Sequence, residues 1–259
     1  MTEVHASTAP LSVADQATLC KVAAELVALA AFDIIEKMRP SNIQAERIRA
    51  SLYLNIIESL SACNTLVRAK METHAALHIR AMLESLVNMT LLHDKSDHIN
   101  QMSHDKLDGE FKICTELLED PYLSDGSREK LRSWIARIEP ARKELRDAKY
   151  RKKVVSKLII EAQLPFLALP YLTLNSMAHW DLAVLSERHE SPSGGLRVFA
   201  ETSPEVIVAL LSEAVKIAIM ATSAVRAVAL FADGVYEEAF ERMNKAWKTV
   251  LDQFEKNAS

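Results

Sequence analysis

The chain has 259 residues, 49% of them apolar and 25% charged, with a formal net charge of −4. That length allows roughly three quarters of the unfolded surface to be buried, so the fold needs no disulfide scaffold, and the composition argues against disorder except at the ends. Five glycines (Gly109, Gly126, Gly194, Gly195 and Gly234) are a poor supply for hairpin turns, bulges and phosphate loops, which argues against sheet architectures and for an all-α fold.

In chain order, the spacing predicts a first helix from Val13 to Met38 that offers Leu19, Val22, Leu26, Leu29 and Ile34 to a core and stops before Pro40. Ser41 caps a second helix bearing Ile43, Ile48, Leu52, Ile56 and Leu60. The stretch from Ser41 to His93 has no Gly or Pro, and reads as an antiparallel pair turning near Ala69 to Thr73, with Thr73 as the next cap. A helix from Ile99 to Leu118 ends at Pro121 and the turn signal Ser124-Asp125-Gly126-Ser127. Two basic helices follow, Ser127 to Ile138 and Pro140 to Ala162. Pro165 and Pro170 frame a connector, and Tyr171 to Ser186 reads as one helix. After the loop Ser191-Pro192-Ser193-Gly194-Gly195, Ser203-Pro204 starts a final pair, Pro204 to Phe231 and Val235 to Glu255, joined at Asp233-Gly234. The expected fold is a bundle of long antiparallel helices in a single domain, 1–259, with the apolar helix from Thr73 to His93 central, the basic helices peripheral, and residues 1–12 and 256–259 flexible.

Cys20, Cys63 and Cys114 are odd in number, widely spaced and set in amphipathic stretches, as expected of reduced thiols in a cytoplasmic protein. Met1 to Val13 has no cationic region ahead of an apolar run and is not expected to act as a secretory signal. The longest apolar stretches, such as Ile217 to Val225 between Lys216 and Arg226, are read as too short to span a bilayer. The apolar positions Val206, Leu210, Ile217, Met220 and Val225 are expected to serve a homodimer as well as the core.

Two helical segments carry polar residues where a packed helix should be apolar. From His74 to Leu92 nearly every side is apolar, yet Arg80, Glu84 and Asn88 fall on one stripe at four-residue intervals, so that Arg80 and Glu84 can pair. Pairing of this kind carries a desolvation cost and rarely improves on apolar replacements, so the stripe is either a structural ion pair or a site. In the second segment Tyr171, Asn175 and His179 share a face, with Ser176 one turn before His179. His179 can exchange a proton near neutral pH, with Tyr171, Asn175 or Ser176 fixing its tautomer.

The run Leu77-His78-Ile79-Arg80-Ala81-Met82-Leu83-Glu84-Ser85-Leu86-Val87-Asn88, followed about ninety residues later by Tyr171 and Ser176-Met177-Ala178-His179, resembles an uncharacterised bacterial family of helical proteins of unknown function. In outline it is also similar to HEPN-like helical domains. The resemblance rests on Arg80, Glu84, Tyr171, Ser176 and His179, and implies a part in bacterial stress or phage defence. One expected function is therefore a binding or interaction protein in which the stripes hold the bundle or bind a small anionic ligand. The other is a metal-independent ribonuclease in which His179 is the general base, Arg80 stabilises the phosphorane charge and Glu84 orients Arg80. Many HEPN ribonucleases use an Arg followed four to six residues later by His, a spacing met here by Arg68 and His74.

Between Arg128 and Lys157 stand twelve Lys or Arg against four Asp or Glu, a basic block in an otherwise acidic chain. It is either a solvated face or a collector of phosphate, with Trp134 and Tyr150 available to stack on RNA bases. His74 and His78 have helical metal-ligand spacing, but Glu84 lies on another face, so no metal and no cofactor are expected.

Overall fold

The computed structural model describes residues 11–179, 181–191, 193–198, 201–232 and 234–258. Among them α1 spans Val13–Lys37, α2 Gln44–Arg68, α3 Glu72–Asp94, α4 His98–Leu118 and α5 Asp125–Asp147. Then come α6 Val155–Glu161, a 3-10 turn at Pro165–Leu167, α7 Ala168–Ala178, α8 Leu182–His189, α9 Pro204–Val225 and α10 Val235–Ala258. The architecture is all-α. Among the described residues the paired ladder is a two-residue clip, β1 (Arg39–Pro40) antiparallel to β2 (Ala229–Leu230), which ties the α1–α2 junction to the α9–α10 junction.

Helix α3 is the centre of the bundle, as its sequence requires. Ile79, Met82, Leu83, Leu86 and Met89 are all buried, and the helix packs on α2, α6, α7 and α9. Burial on more than one side fits a helix that is apolar nearly all round. The α2–α3 turn falls where the broken spacing puts it, but by a different device: Lys70 adopts the left-handed conformation at φ 58°, and the Met71 amide bonds back to Leu66 O at 2.8 Å, satisfying a terminal carbonyl of α2. Thr73 does not cap α3, which starts one residue earlier without a side-chain cap.

Helix α1 keeps only part of the expected face: Ile34 is buried and Leu19 packs against the core. Val22, Leu26 and Leu29 are exposed, at 50%, 49% and 63%, while Ala17, Cys20, Ala24, Val27, Ala31 and Ile34 are buried. Both stripes are apolar, and the small one wins because alanine lets α9 and α10 approach closely. Three polar side chains inside this core find partners: Thr222 donates to the Tyr53 hydroxyl at 3.2 Å and Tyr236 donates to Thr222 O at 3.0 Å. Burial pushes the phenols of Tyr53 and Tyr236 up, the latter to about 12. The three cysteines are free and buried, and burial raises the Cys63 thiol to about 12. Leu11 and Asn257 exchange two hydrogen bonds, 2.9 and 3.0 Å, between the start of α1 and the end of α10.

Three further boundaries depart from expectation. Pro140 lies inside α5 instead of starting a new helix; Pro140 and Ala136 are both exposed, so the carbonyl that loses its amide partner faces water. The break comes later, where Lys149 takes φ 69° and the Tyr150 amide bonds back to Leu145 O at 3.0 Å, the same ending that Lys70 gives α2. Ser124 caps α5 by accepting from the Ser127 amide at 3.3 Å, so the predicted turn is a helix start. The segment from Tyr171 to Ser186 is two helices, α7 and α8, because Asp181 accepts from the Val184 amide at 3.0 Å and caps a new helix.

Helix α9 also corrects the reading of apolar runs. At 22 residues, with a mean hydropathy of 1.8 over an 18-residue window, it is long and apolar enough to cross a membrane by length and composition, and it packs in the core against α1, α2 and α3. Leu210, Ile217 and Val225 are buried there, while Val206 and Met220 are half-buried against the same core, so these positions complete the chain's own interior. Asp233, expected in the α9–α10 turn, and Pro192 lie outside the described residues.

Candidate anion-binding cluster

The stripe on α3 and the end of α7 meet. Arg80 Nε donates to Glu84 Oε1 at 2.9 Å, the bond that i, i+4 spacing on one helix permits. Arg80 Nη1 lies 2.7 Å from His179 Nε2, across 99 residues of sequence, and the Arg80 guanidinium stands 5.7 Å from the Tyr171 ring centroid, within cation–π range. His179 reaches this place because α7 ends there: it is the C-cap residue, its amide bonding Asn175 O at 3.0 Å.

The Arg80–His179 bond fixes a proton. A guanidinium only donates, so His179 Nε2 accepts, the ring is neutral and its hydrogen sits on Nδ1. His179 is exposed, and the Arg80 and Glu84 side chains are 22% and 35% accessible. Arg80 Nη2 and the Tyr171 hydroxyl have no partner among the described residues, and neither has the His179 Nδ1 hydrogen, which lies on the ring edge away from Arg80.

The ladder continues down α3. Asn88 Nδ2 donates to Glu84 O at 2.9 Å and Asn88 Oδ1 accepts from His98 Nε2 at 2.9 Å, which places a hydrogen on His98 Nε2. Burial, aided by Lys153, pushes the pKa of His98 down. Lys153 and Glu161 line a recess of about 610 Å³ with Lys149, Tyr150, Arg151, Lys152 and Lys157, so the polar stripe ends beside the basic block. Much of that block is committed to structure: Arg142 bonds Asp108 and Glu139 and stacks on Phe111, Arg128 holds the carbonyls of Leu118, Asp120 and Leu123, and Arg137 stacks on Trp134.

The remaining expected residues separate. Asn175 is half-buried on the Tyr171 side of α7, with no side-chain bond to the cluster among the described residues. Ser176 lines a different cavity, between α7, α8 and α9. Arg68 and His74 do not meet: Arg68 pairs with Glu25 at 3.5 Å, and His74 Nε2 lies 2.5 Å from Arg188 Nη2. Burial and the Arg188 charge both push the His74 pKa down. The Arg188–His74 contact and the Asn88–His98 bond were not anticipated; the signal available for the second was His98 lying ten residues beyond Asn88, just after the helix end. Among the described residues no three His, Cys, Asp or Glu side chains form a group that could hold a metal ion.

A family model described as a family of unknown function (DUF5677) matches residues 46–196, more than half of the chain. The chain belongs to DUF5677. Neither the curated proteins nor the solved structures contain a match. The DUF5677 segment runs from α2 through α8, so it holds Arg80, Glu84, Asn88, His98, Tyr171 and His179, and it leaves out α1, α9 and α10.

Proposed function

We propose that the protein is a binding module for a small anionic ligand, recognised where α3 meets the end of α7. The observation that carries this reading is the 2.7 Å contact between Arg80 and His179 on a half-exposed surface, which orients the guanidinium and leaves its Nη2 donors for an incoming oxyanion. Glu84 holds Arg80 through Nε, so the guanidinium is pre-oriented at little entropic cost on binding. Lys149, Lys152 and Lys157, beside the other end of the stripe, extend the same charge preference to a longer phosphate-bearing molecule such as RNA. Calorimetric titration with inorganic pyrophosphate tests it: Arg80→Ala should weaken binding at least about tenfold with helicity unchanged, and equal binding by the variant would end the reading. The part in bacterial stress or phage defence implied by the resemblance belongs to this proposal, and is checked by plating phage on cells with and without the gene.

A second reading, a metal-independent HEPN-like ribonuclease, is favoured by the exposure of His179 beside Arg80. A phosphate that draws Arg80 away frees His179 Nε2 to take a proton from a ribose 2′-hydroxyl, while Arg80 meets the phosphorane charge and Glu84 orients Arg80. RNA cleavage in the presence of a metal chelator, lost in His179→Ala at unchanged melting temperature, supports this reading; cleavage by the variant at the wild-type rate rejects it.

A further inference from the structure

Helices α4 and α5 form a hairpin that stands off from the bundle. The start of α4 meets α3, where His98 bonds Asn88, and among the described residues α5 packs on α4 and makes no more than isolated contacts with any other helix. The two run antiparallel, with Arg142 on Asp108 at 3.0 Å, Trp134 on Glu110 at 3.3 Å, and Arg128 on Leu118 O at 2.6 Å toward the tip. Over 105–147 only Cys114, Ile138 and Arg142 are buried, and Leu107, Phe111, Leu131 and Ile135 stay half-buried. Two helices with so small an interior are marginal, because helical stability comes mostly from burying an amphipathic face.

Each helix carries a further stripe. On α4 it is Lys106, Glu110, Ile113 and Leu117, and on α5 it is Lys130, Trp134, Arg137, Ala141 and Glu144, both in the alternating four- and three-residue steps of a coiled-coil seam. The bond from Trp134 to Glu110 joins the stripes into one side of the hairpin. Ile113, Leu117 and Trp134 are 57%, 44% and 40% exposed there.

We propose that this side docks on the same side of a second copy of the chain, α4 of each protomer antiparallel to α5 of the other, to complete a four-helix bundle. A two-fold axis along the hairpin keeps the levels observed within it. Trp134 then meets the partner's Ile113, Arg137 meets the partner's Glu110, and Glu144 meets the partner's Lys106, so opposite charges flank an aromatic anchor. Setting α5 against α5 would instead oppose Lys130 and Arg137 of both chains. The area suffices as well: 21 residues of α4 make a face roughly 30 Å long and about 20 Å wide, or about 1,200 Å² over both protomers, at the lower end of stable interfaces.

Sedimentation equilibrium of the full chain tests the proposal. From about 1 to 200 μM, the range that suits so small an interface, the mass should rise from the 28.9 kDa of one chain to twice that. Ile113→Glu and Trp134→Glu, both at exposed positions, should hold the protein monomeric with helicity and pyrophosphate binding unchanged. Leu26→Glu, on the exposed face of α1, should dimerise like the wild type. Lys106→Glu and Glu144→Lys should each raise the dimer Kd at least about tenfold through like-charge contacts, and an equimolar mixture of the two should recover the wild-type value. A single-chain mass at every concentration, dimers of Ile113→Glu as tight as the wild type, loss of the dimer in Leu26→Glu, or no recovery on mixing would each overturn the proposal. If the glutamate variants misfold by circular dichroism, the wild-type mass and the mixing experiment decide it.

Discussion

Arg80 on α3 and Arg142 on α5 are both arginines tied to carboxylates on helices, yet they have different work. Arg142 is 8% exposed, bonds two carboxylates, Asp108 at 3.0 Å and Glu139 at 2.9 Å, and lies 3.8 Å over the Phe111 ring. Arg80 has one carboxylate and one neutral imidazole, and sits farther from its aromatic neighbour. The difference teaches that a charge among apolar residues marks a candidate site only when its partners leave donors over. Arg142 holds α5 on α4; Arg80 has capacity to spare at a half-open surface.

The comparison breaks most readily at Arg142. Arg142→Ala should destabilise the fold by about 2 kcal/mol in chemical denaturation, a buried-pair value reduced for the partial exposure of both carboxylates, and leave pyrophosphate binding intact. Arg80→Ala should do the converse, costing under about 1 kcal/mol of stability while removing that binding; a loss as large as that of Arg142→Ala would make the Arg80 cluster structural.

A smaller effect tests the foot of the ladder through pH. Because His98 is held neutral with a lowered pKa, the unfolded chain binds more protons than the folded one as pH falls below the ordinary histidine value of 6.5. The stabilisation is therefore complete above pH 6.5 and lost as pH drops through the depressed folded value. His74 acts with the same sign, so urea midpoints measured at pH 7.5 and 5.5 should converge partly in His98→Gln and further when His74→Gln is added. The smallest expected change concerns the basic recess: replacing Lys149, Lys152 and Lys157 by Ala should reduce the salt slope of RNA binding by about 2, with no change in melting temperature. An unaltered slope would leave these lysines as a solvated face.

Much of the helical framework was legible because apolar spacing and capping are local. The all-round apolar pattern of α3 placed it at the centre, and the four-residue spacing of Arg80, Glu84 and Asn88 placed them on one stripe. The exposed and buried faces of α1 were not separable in the same way, since Val22, Leu26 and Leu29 and the Ala17–Ala24–Ala31 side both read as apolar. Only close approach of α9 and α10 chose the smaller residues. His179 was picked out on a helix expected to run through it, whereas it stands at a helix end; the Asp181 cap was the missed signal.

What the sequence by itself determined is the all-α framework, its central helix and the Arg80–Glu84 pair, because each depends on residues within a few turns of one another. Tertiary structure alone decided that His179 accepts from Arg80, that Asn88 meets His98, and that Ser176 belongs to another cavity. Those outcomes depend on how helices distant in the chain cross and where they stop. Packing of their apolar faces sets those positions, and the polar groups take whichever partners the packing brings within hydrogen-bond reach.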